Sequence, residues 1–214
     1  MKVGDKSKAT LSREDALAGV PEDELTPKVH EALAALMNET KILRAELDQM
    51  RKTMVDLERL ADRDPMLDLL NRRAFIRELE RTLAMIDRHA ISASLIFVDL
   101  NDLKKINDSM GHAAGDAALS YVASSLAGNV RQVDYVGRLG GDEFGVLLTH
   151  APLHRAQGKA RLLSKAVSDH PVRWKEHVFT VNVSCGVVEI VEGLSAEEAM
   201  ERADQAMYAA KAQK

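Results

Sequence analysis

Two adjacent glycines and two adjacent acids, Gly140-Gly141-Asp142-Glu143, lie between two apolar runs and constrain the fold more than any other stretch. The flanking runs, 135–136 and 144–148, are rich in strand-forming residues, so the stretch predicts a hairpin with the glycines in a tight turn. Glycine reaches positive φ at little cost and lets a ligand approach the backbone. An ordinary polar turn is the alternative interpretation, because Gly and Asp are common turn residues.

The carboxylates of this turn, Asp142 and Glu143, predict a metal-dependent phosphate site. Adjacent acids repel each other, and a hard divalent cation between them and a phosphate removes that repulsion. A further acid, Asp99, follows the apolar run 93–98, which we predict to be a buried strand. A buried strand that ends in an acid is a common way to build a ligand site.

Residues 29–61 repeat apolar side chains at alternating spacings of four and three, which is the heptad pattern of a coiled coil. The a positions are Leu33, Thr40, Leu47, Met54 and Ala61, and the d positions are Val29, Leu36, Leu43, Met50 and Leu57. A parallel dimer would pair Glu39 with Arg44 and Glu46 with Arg51 between chains, at about 0.5 kcal/mol for each exposed pair. We predict such a dimer; an amphipathic helix lying on its own domain is the alternative.

The limits of this helix follow from capping and proline chemistry. Thr26 can cap a helix whose first residue is Pro27, and Asp64-Pro65 must end it because the residue before proline is displaced from the α region. We therefore divide the chain into a mobile segment at 1–25, a coiled-coil helix at 26–63 and a globular domain at 64–214.

The globular part alternates helical and strand patterns. Apolar spacing predicts helices at 72–89, from 111 to about 129 and at 152–168, and one or two strands within 178–190. Ser195, with Glu198 three residues later, predicts a capping box at the start of a final helix. This order predicts an α/β or α+β layer with helices on one side of a sheet.

The composition narrows the class of protein. The 214 residues are 46% hydrophobic with a net charge of −4, which gives no broad basic face for nucleic acid. No apolar run reaches the roughly 18 residues of a membrane span, and the charged N-terminus lacks the pattern of a secretory signal. The single cysteine, Cys185, excludes an intrachain disulfide, so we expect a cytoplasmic protein.

Several blocks of sequence together resemble the GGDEF family of diguanylate cyclases over about residues 62–214. Besides the turn at 140–144, the matching blocks are 64–73, Asp99 to Asp108, Gly111-His112 with Gly115-Asp116, and Ala203 to Lys211. The chain departs from the family pattern with Leu67 for Thr, Asn101 for Asp and Leu103 for Phe. It also ends at Lys214, before the Gly-Arg that the family often carries.

The resemblance implies an α+β fold whose ferredoxin-like sheet, related to the palm of nucleotide cyclases and polymerases, has flanking helices and follows a long dimerising helix. It implies an enzyme that condenses two GTP molecules into cyclic di-GMP and two pyrophosphates. Two Mg²⁺ or Mn²⁺ ions per half-site would be held by Asp99, the Leu100 carbonyl, Asp142 and Glu143. Asp142 matches a catalytic acid and Glu143 a firm metal ligand, with the identity of the proton acceptor left open.

The remaining site residues are also implied by the resemblance. Lys104 and Lys211 would contact phosphates, Asn107 and Asp116 would recognise guanine, and the backbone of Gly140 and Gly141 would face the phosphates. His112 matches a substrate contact, although a structural role at a helix start is equally consistent. Arg131 and Asp134 match the inhibitory site that binds cyclic di-GMP, with a surface ion pair as the alternative.

Two other functions remain open at this point. A degenerate module could bind GTP or cyclic di-GMP and signal through its coiled coil without catalysis. A scaffold could use the coiled coil alone, with the globular part as a cap. The intact turn, Asp99 and Lys211 favour the active enzyme, acting as a homodimer.

Overall fold

The computed structural model of the protein describes residues 26–89 and 91–212, so the predictions for 1–25 and for Lys214 lie outside the described residues. The helices are α1 Pro27–Asp62, α2 Arg72–His89, α3 Leu103–Met110, α4 His112–Gly128, α5 Leu153–Ser168 and α6 Ala196–Lys211. The strands are β1 Ala93–Leu100, β2 Tyr135–Arg138, β3 Glu143–Thr149, β4 Val172–Trp174, β5 His177–Phe179 and β6 Val183–Ile190. The chain divides into two compact units with the boundary between Leu57 and Glu58.

The first unit contains most of helix α1, and it begins where the sequence predicts. The hydroxyl of Thr26 accepts a hydrogen bond from the Val29 N–H at 3.4 Å, as a capping residue does. Seven apolar side chains of the predicted seam are between 38% and 65% exposed: Val29, Leu36, Leu43, Leu47, Met50, Met54 and Leu57. The long helix is thus confirmed, and its pairing with a second chain stays a prediction.

In the second unit, a four-stranded antiparallel sheet has the strand order β2-β3-β1-β6. Strands β4 and β5 form a separate small hairpin. The sequence of elements from β1 to α6 includes the β-α-β-β-α-β arrangement of a ferredoxin-like fold. The predicted α+β class with flanking helices is therefore confirmed.

Helices cover both faces of this sheet, and the prediction of helices on one side is wrong. Helices α4 and α5 pack on one face, where Val98 and Val146 meet Val122 and Leu163. Helices α2 and α6 pack on the other face, against side chains such as Phe97. All eight residues of β1 are buried. Consecutive apolar residues give a strand an apolar surface on both faces, and each face is then covered by helices.

Helix α6 lies unusually close to strand β6 because Gly186 has no side chain. A Cβ there would stand 2.1 Å from the Ala203 carbonyl oxygen and 2.2 Å from the Met207 nitrogen, both backbone atoms of α6. The capping box at the start of α6 is confirmed, since Ser195 and Glu198 bond each other's backbone N–H groups. These features fix the helix that carries Lys211.

Helix α1 ends at Asp62, just ahead of the predicted break at Asp64-Pro65. Within the second unit, the Ala61 carbonyl accepts hydrogen bonds from the Asn71 amide at 2.7 Å and from Arg73 at 2.8 Å. The Asp62 carboxylate forms a bidentate pair with Arg77 at 2.5 and 3.2 Å. The end of the helix is therefore held by side chains from Asn71 and from the first two turns of α2.

The sequence analysis did not predict two short elements, helix α3 and strand β4. Helix α3 follows Asp102, whose φ of 60° is left-handed, and strand β4 contains Trp174, to which the sequence analysis assigned no role. Trp174 is half-buried against the core, with the Lys175 ammonium 5.7 Å from its ring centre. In the described part of the chain, every helix is too short or too polar to cross a membrane.

Candidate active site

Pairing of strands β1 and β3 brings the predicted metal ligands to one end of the sheet. Asp99 stands directly opposite Glu143 in the antiparallel register, and opposite residues in such pairs have Cα atoms roughly 4.5–5.5 Å apart. The Leu100 N–H donates to the Asp142 carbonyl at 3.0 Å, which fixes the turn against the end of β1. Asp99, Leu100, Asp142 and Glu143 are therefore neighbours, as the sequence predicts.

Lys211 enters this group from the last turn of α6, 112 residues along the chain from Asp99. Its ammonium lies 2.5 Å from the Asp99 carboxylate, and this hydrogen bond is the largest cause that raises the pKa of Lys211. Asp99 is nearly buried, with a side-chain exposure of 12%, whereas Lys211 is exposed by 42%. The predicted phosphate-binding lysine thus reaches the predicted metal ligand.

The half-buried Glu143 carboxyl sits in an excess of negative charge. Burial is the largest cause that raises its pKa, followed by the charges of Asp142, Asp204 and Asp99. The Arg72 guanidinium acts in the opposite direction. Asp204 had no role in the sequence analysis, although it lies in the matching block 203–211. A cation at this end of the sheet would relieve the repulsion.

The donor atoms suit a hard divalent cation, because they are carboxylate and carbonyl oxygens. Within residues 26–89 and 91–212, however, no three His, Cys, Asp or Glu side chains converge as a ready ligand set. Asp99 instead contacts Lys211. The chemistry of the residues therefore fits the predicted metal, and the assignment of ligands stays a prediction.

The predicted hairpin is confirmed, but its glycines act differently from the prediction. The acidic turn, residues 139–143, joins β2 to β3, and the N–H groups of Leu139 and Gly140 both donate to the Glu143 carbonyl, at 2.8 and 3.3 Å. Neither Gly140 nor Gly141 adopts a positive φ. Gly140 instead leaves room for the Glu143 side chain, since a Cβ there would be 2.3 Å from the Oε2 atom of that flexible carboxylate.

The predicted guanine contacts lie on α3 and α4, directly after the acidic end of β1. Asn107 Oδ1 is buried and, among the described residues, has no hydrogen-bond partner. A Cβ at Gly115 would stand 2.0 Å from that oxygen, so glycine at this position makes room for the Asn107 amide. Asp116 and His112 are exposed on α4, and Lys104 is exposed on α3. An orphaned buried acceptor is a feature expected of a ligand site.

The structure shows how the chain accommodates Asn101, where the family pattern has a carboxylate. The Asn101 side-chain oxygen accepts a hydrogen bond from the Ser184 hydroxyl at 2.9 Å, and its backbone N–H donates to the Asn182 carbonyl. The side chain is thus tied to β6. An amide serves this contact as well as a carboxylate would.

The predicted inhibitory pair lies in the loop before β2. The Asp134 carboxylate accepts the backbone N–H groups of Arg131 at 3.0 Å and of Thr149 at 3.1 Å. Arg131 itself is exposed. Asp134 therefore shapes the loop, and the Arg131 guanidinium is accessible for a ligand.

Two arginines that the sequence analysis missed hold the carbonyls of the acidic turn. Arg138 donates to the Gly140 carbonyl at 3.0 Å and to the Gly141 carbonyl at 2.8 Å. Arg72 donates to the Leu139 carbonyl at 3.0 Å. In the sequence, Arg138 lies just before the glycines and Arg72 lies in the matching block 64–73. These positions did not indicate where the two side chains point.

Known proteins resemble this chain in sequence. The family model described as "Diguanylate cyclase, GGDEF domain" matches residues 61–214. The chain is 36% identical over 167 residues to the probable diguanylate cyclase DgcE of Escherichia coli, covering 78% of this chain and 15% of DgcE. It is 32% identical over 179 residues to the diguanylate cyclase DgcP of Pseudomonas aeruginosa, covering 84% of this chain and 27% of DgcP. The chain thus spans less than a third of either relative.

A solved structure agrees with the fold. The solved structure is the coiled coil and GGDEF domain of DgcB from Caulobacter crescentus in complex with c-di-GMP. It aligns with a TM-score of 0.76 and 27% identity, and the alignment covers 84% of this chain and 95% of the solved DgcB chain. The family match covers more than half of the chain, and it coincides with the motifs and with the geometry of the acidic turn. The chain therefore belongs to the GGDEF family of diguanylate cyclases.

Proposed function

We propose that the protein is an active diguanylate cyclase that condenses two GTP molecules into cyclic di-GMP and two pyrophosphates. The observation that carries this proposal is the register of β1 and β3, which sets Asp99 opposite Glu143, with Lys211 in contact with Asp99. Carboxylates beside a lysine at the end of a sheet are the groups that nucleotidyl transfer requires.

Each of these groups has a part in the attack of a ribose 3′-hydroxyl on an α-phosphate. Asp142 lies at the acidic turn, where its carboxylate can accept the proton of the hydroxyl. Lys211 and Lys104 supply positive charge for the β- and γ-phosphates. Asp99, the Leu100 carbonyl, Asp142 and Glu143 would hold two Mg²⁺ or Mn²⁺ ions, which would neutralise phosphate charge and lower the pKa of the hydroxyl.

Selection of guanine rests on Asn107 and Asp116. A carboxylate at Asp116 can accept from the N1–H and the amino group of guanine, donors that adenine does not offer together. The buried oxygen of Asn107, which has no hydrogen-bond partner in residues 26–89 and 91–212, supplies a further acceptor. A site built from such hydrogen bonds discriminates strongly against a base that leaves them unmade.

The product also requires two copies of the site, because each copy holds one GTP and the two nucleotides attack each other. We infer that the exposed apolar seam of α1 pairs two chains as a parallel coiled coil. A tether of this kind raises the effective concentration of one domain near the other to about the millimolar range.

Product inhibition at Arg131 and Asp134 is part of the same proposal. The exposed Arg131 guanidinium can bind a guanine edge or a phosphate in bidentate fashion. DgcB was solved with c-di-GMP, which shows that this relative binds the product. If Arg131→Ala leaves inhibition by added cyclic di-GMP unchanged, the product does not act at this site.

The decisive experiment is incubation of the purified protein with GTP and Mg²⁺, followed by chromatography for cyclic di-GMP. Glu143→Gln removes one charge and keeps the shape, so we expect this variant to bind GTP and lose turnover. A wild-type chain that binds GTP or cyclic di-GMP without forming product would instead indicate the degenerate signalling module.

A further inference from the structure

Three consecutive carbonyls of the acidic turn are each bonded to a guanidinium group. Arg72 donates a hydrogen bond to the Leu139 carbonyl. Arg138 donates to the Gly140 and Gly141 carbonyls through two different nitrogens, at 3.0 and 2.8 Å. A guanidinium that bonds two successive carbonyls fixes the orientation of both peptide planes. The residues that follow these planes are Asp142 and Glu143.

Arg138 is itself held by a third contact. Its Nη1 lies 3.2 Å from Asp64 Oδ2, and both side chains are largely buried, with exposures of 20% and 12%. Because the pair is largely buried, water competes less for its hydrogen bonds, and its geometry is better defined than that of a surface pair. The planar guanidinium has Asp64 on one side and the turn on the other.

Asp64 has little freedom of its own. It belongs to the junction turn, residues 63–70, which follows the last residue of α1. Its Oδ1 accepts the N–H groups of Met66 at 2.9 Å and Leu67 at 3.0 Å, and its own N–H donates to the Leu69 carbonyl at 2.8 Å. A continuous set of hydrogen bonds therefore runs from the junction turn through Asp64 and Arg138 to the two glycine carbonyls.

We propose that Arg138 is a positioning residue for the acidic turn. Asp64 orients Arg138, so that a shift of the junction turn also shifts the acidic turn. The side chain touches neither of the acidic carboxylates; it acts on the backbone that presents them. Displacement of the junction turn would rotate the glycine peptides and move Asp142 and Glu143. Its kinetic consequence rests on the proposed cyclase activity.

The test uses the full chain with four variants. Arg138→Met removes the donors, Arg138→Lys keeps the charge without the fork, and Asp64→Asn weakens the hold on the guanidinium. Arg173→Met, at an exposed arginine on β4, is the control. The readouts are hydrogen exchange of peptides covering 139–144 and 95–99, thermal stability, and kcat and KM for GTP.

We expect Arg138→Met to raise exchange in 139–144 about tenfold while exchange in 95–99 stays close to that of the wild type. We expect kcat to fall about 100-fold with KM changed by less than about threefold, because the loss is one of alignment. Arg138→Lys should give values of exchange and kcat between those of the wild type and of Arg138→Met. Asp64→Asn should raise exchange in 139–144 and lower kcat by smaller factors than Arg138→Met does. Combining Asp64→Asn with Arg138→Met should add little to the latter.

Clear outcomes would overturn the proposal. Equal rises of exchange in both peptides, with a fall in thermal stability, would make Arg138 a structural residue only. Unchanged exchange and kcat in Arg138→Met would remove the role altogether, and an Asp64→Asn variant identical to the wild type would remove the link to the junction turn. If the wild type makes no cyclic di-GMP, the proposed function fails, and the exchange measurement still decides this inference.

Discussion

At the scale of single residues, the two glycines of the acidic turn differ in the space around them. A Cβ at Gly140 would collide with the Glu143 carboxylate, whereas a Cβ at Gly141 would meet nothing within 4 Å. The sequence predicts the turn from residue types, and it identifies the acids. It could not predict that the first glycine makes room for a side chain three positions later, because that contact depends on the rotamer of Glu143.

Replacing Gly140 should therefore damage the site more than the fold. In Gly140→Ala the new methyl must displace the flexible Glu143 carboxylate, so we expect thermal stability close to that of the wild type and a loss of cyclase activity of about tenfold or more. The matched control is Gly158→Ala in α5, where a Cβ meets nothing within 4 Å. Retained activity in Gly140→Ala would show that the position of Glu143 does not matter for turnover.

At the scale of elements, long amphipathic segments and capping residues were predictable, and short elements were not. Helix α2 spans Arg72–His89 as its apolar spacing predicts, since 18 residues contain several repeats of the pattern. Helix α3, with eight residues, and strand β4, with three, contain too little of any pattern. The apolar run of β1 indicates a strand that is covered on both faces, so a second helical layer could have been predicted from it. The run does not reveal which helices form that layer.

The contact between β6 and α6 gives a prediction about stability. In Gly186→Ala the Cβ would meet the backbone of Ala203 and Met207, which cannot rotate away as a side chain can. We expect a loss of about 1–3 kcal/mol in the free energy of unfolding, typical of overpacking. Denaturant titration measures it, with Gly158→Ala as the control, since that change in a helix should stabilise by about 0.5–1 kcal/mol. Wild-type stability in Gly186→Ala would contradict the close approach.

The ion pair between Asp62, at the end of α1, and Arg77 gives a prediction about how stability depends on pH. The hydrogen bond from Arg77 is the largest cause that holds the pKa of Asp62 below its usual value. A carboxyl whose pKa is lower in the folded state stabilises the fold above its unfolded pKa of about 3.9, and loses that contribution as the pH falls through the folded value. We therefore expect Asp62→Asn to lower the melting temperature at pH 7, with a deficit that shrinks as the pH falls below about 3.9. Asp68→Asn, at a highly exposed carboxylate, is the control; a deficit that is independent of pH would exclude the ion pair as its cause.

At the scale of the whole molecule, the chain combines a domain with the proposed half-site and a helix whose apolar seam is exposed. The domain has two buried clusters, one on each face of its sheet. The seam of α1 is different, because residues such as Leu43 and Leu47 are 52% and 54% exposed in a single chain. A regular stripe of this length is typical of a surface that a second chain covers.

The corresponding prediction is that the seam sets how activity depends on protein concentration. Leu43→Asp with Leu47→Asp would bury like charges between paired helices, so we expect the chains to separate in size-exclusion chromatography with light scattering. Ala45→Asp with Gln49→Asp adds the same charge at positions outside the seam and should leave the assembly intact. In the proposed reaction the product joins two nucleotides held by two half-sites. Activity per chain in the seam variant should therefore fall and should rise steeply with protein concentration, while the control keeps the wild-type value. A monomeric seam variant with full activity at every concentration would show that the helix does not bring the half-sites together.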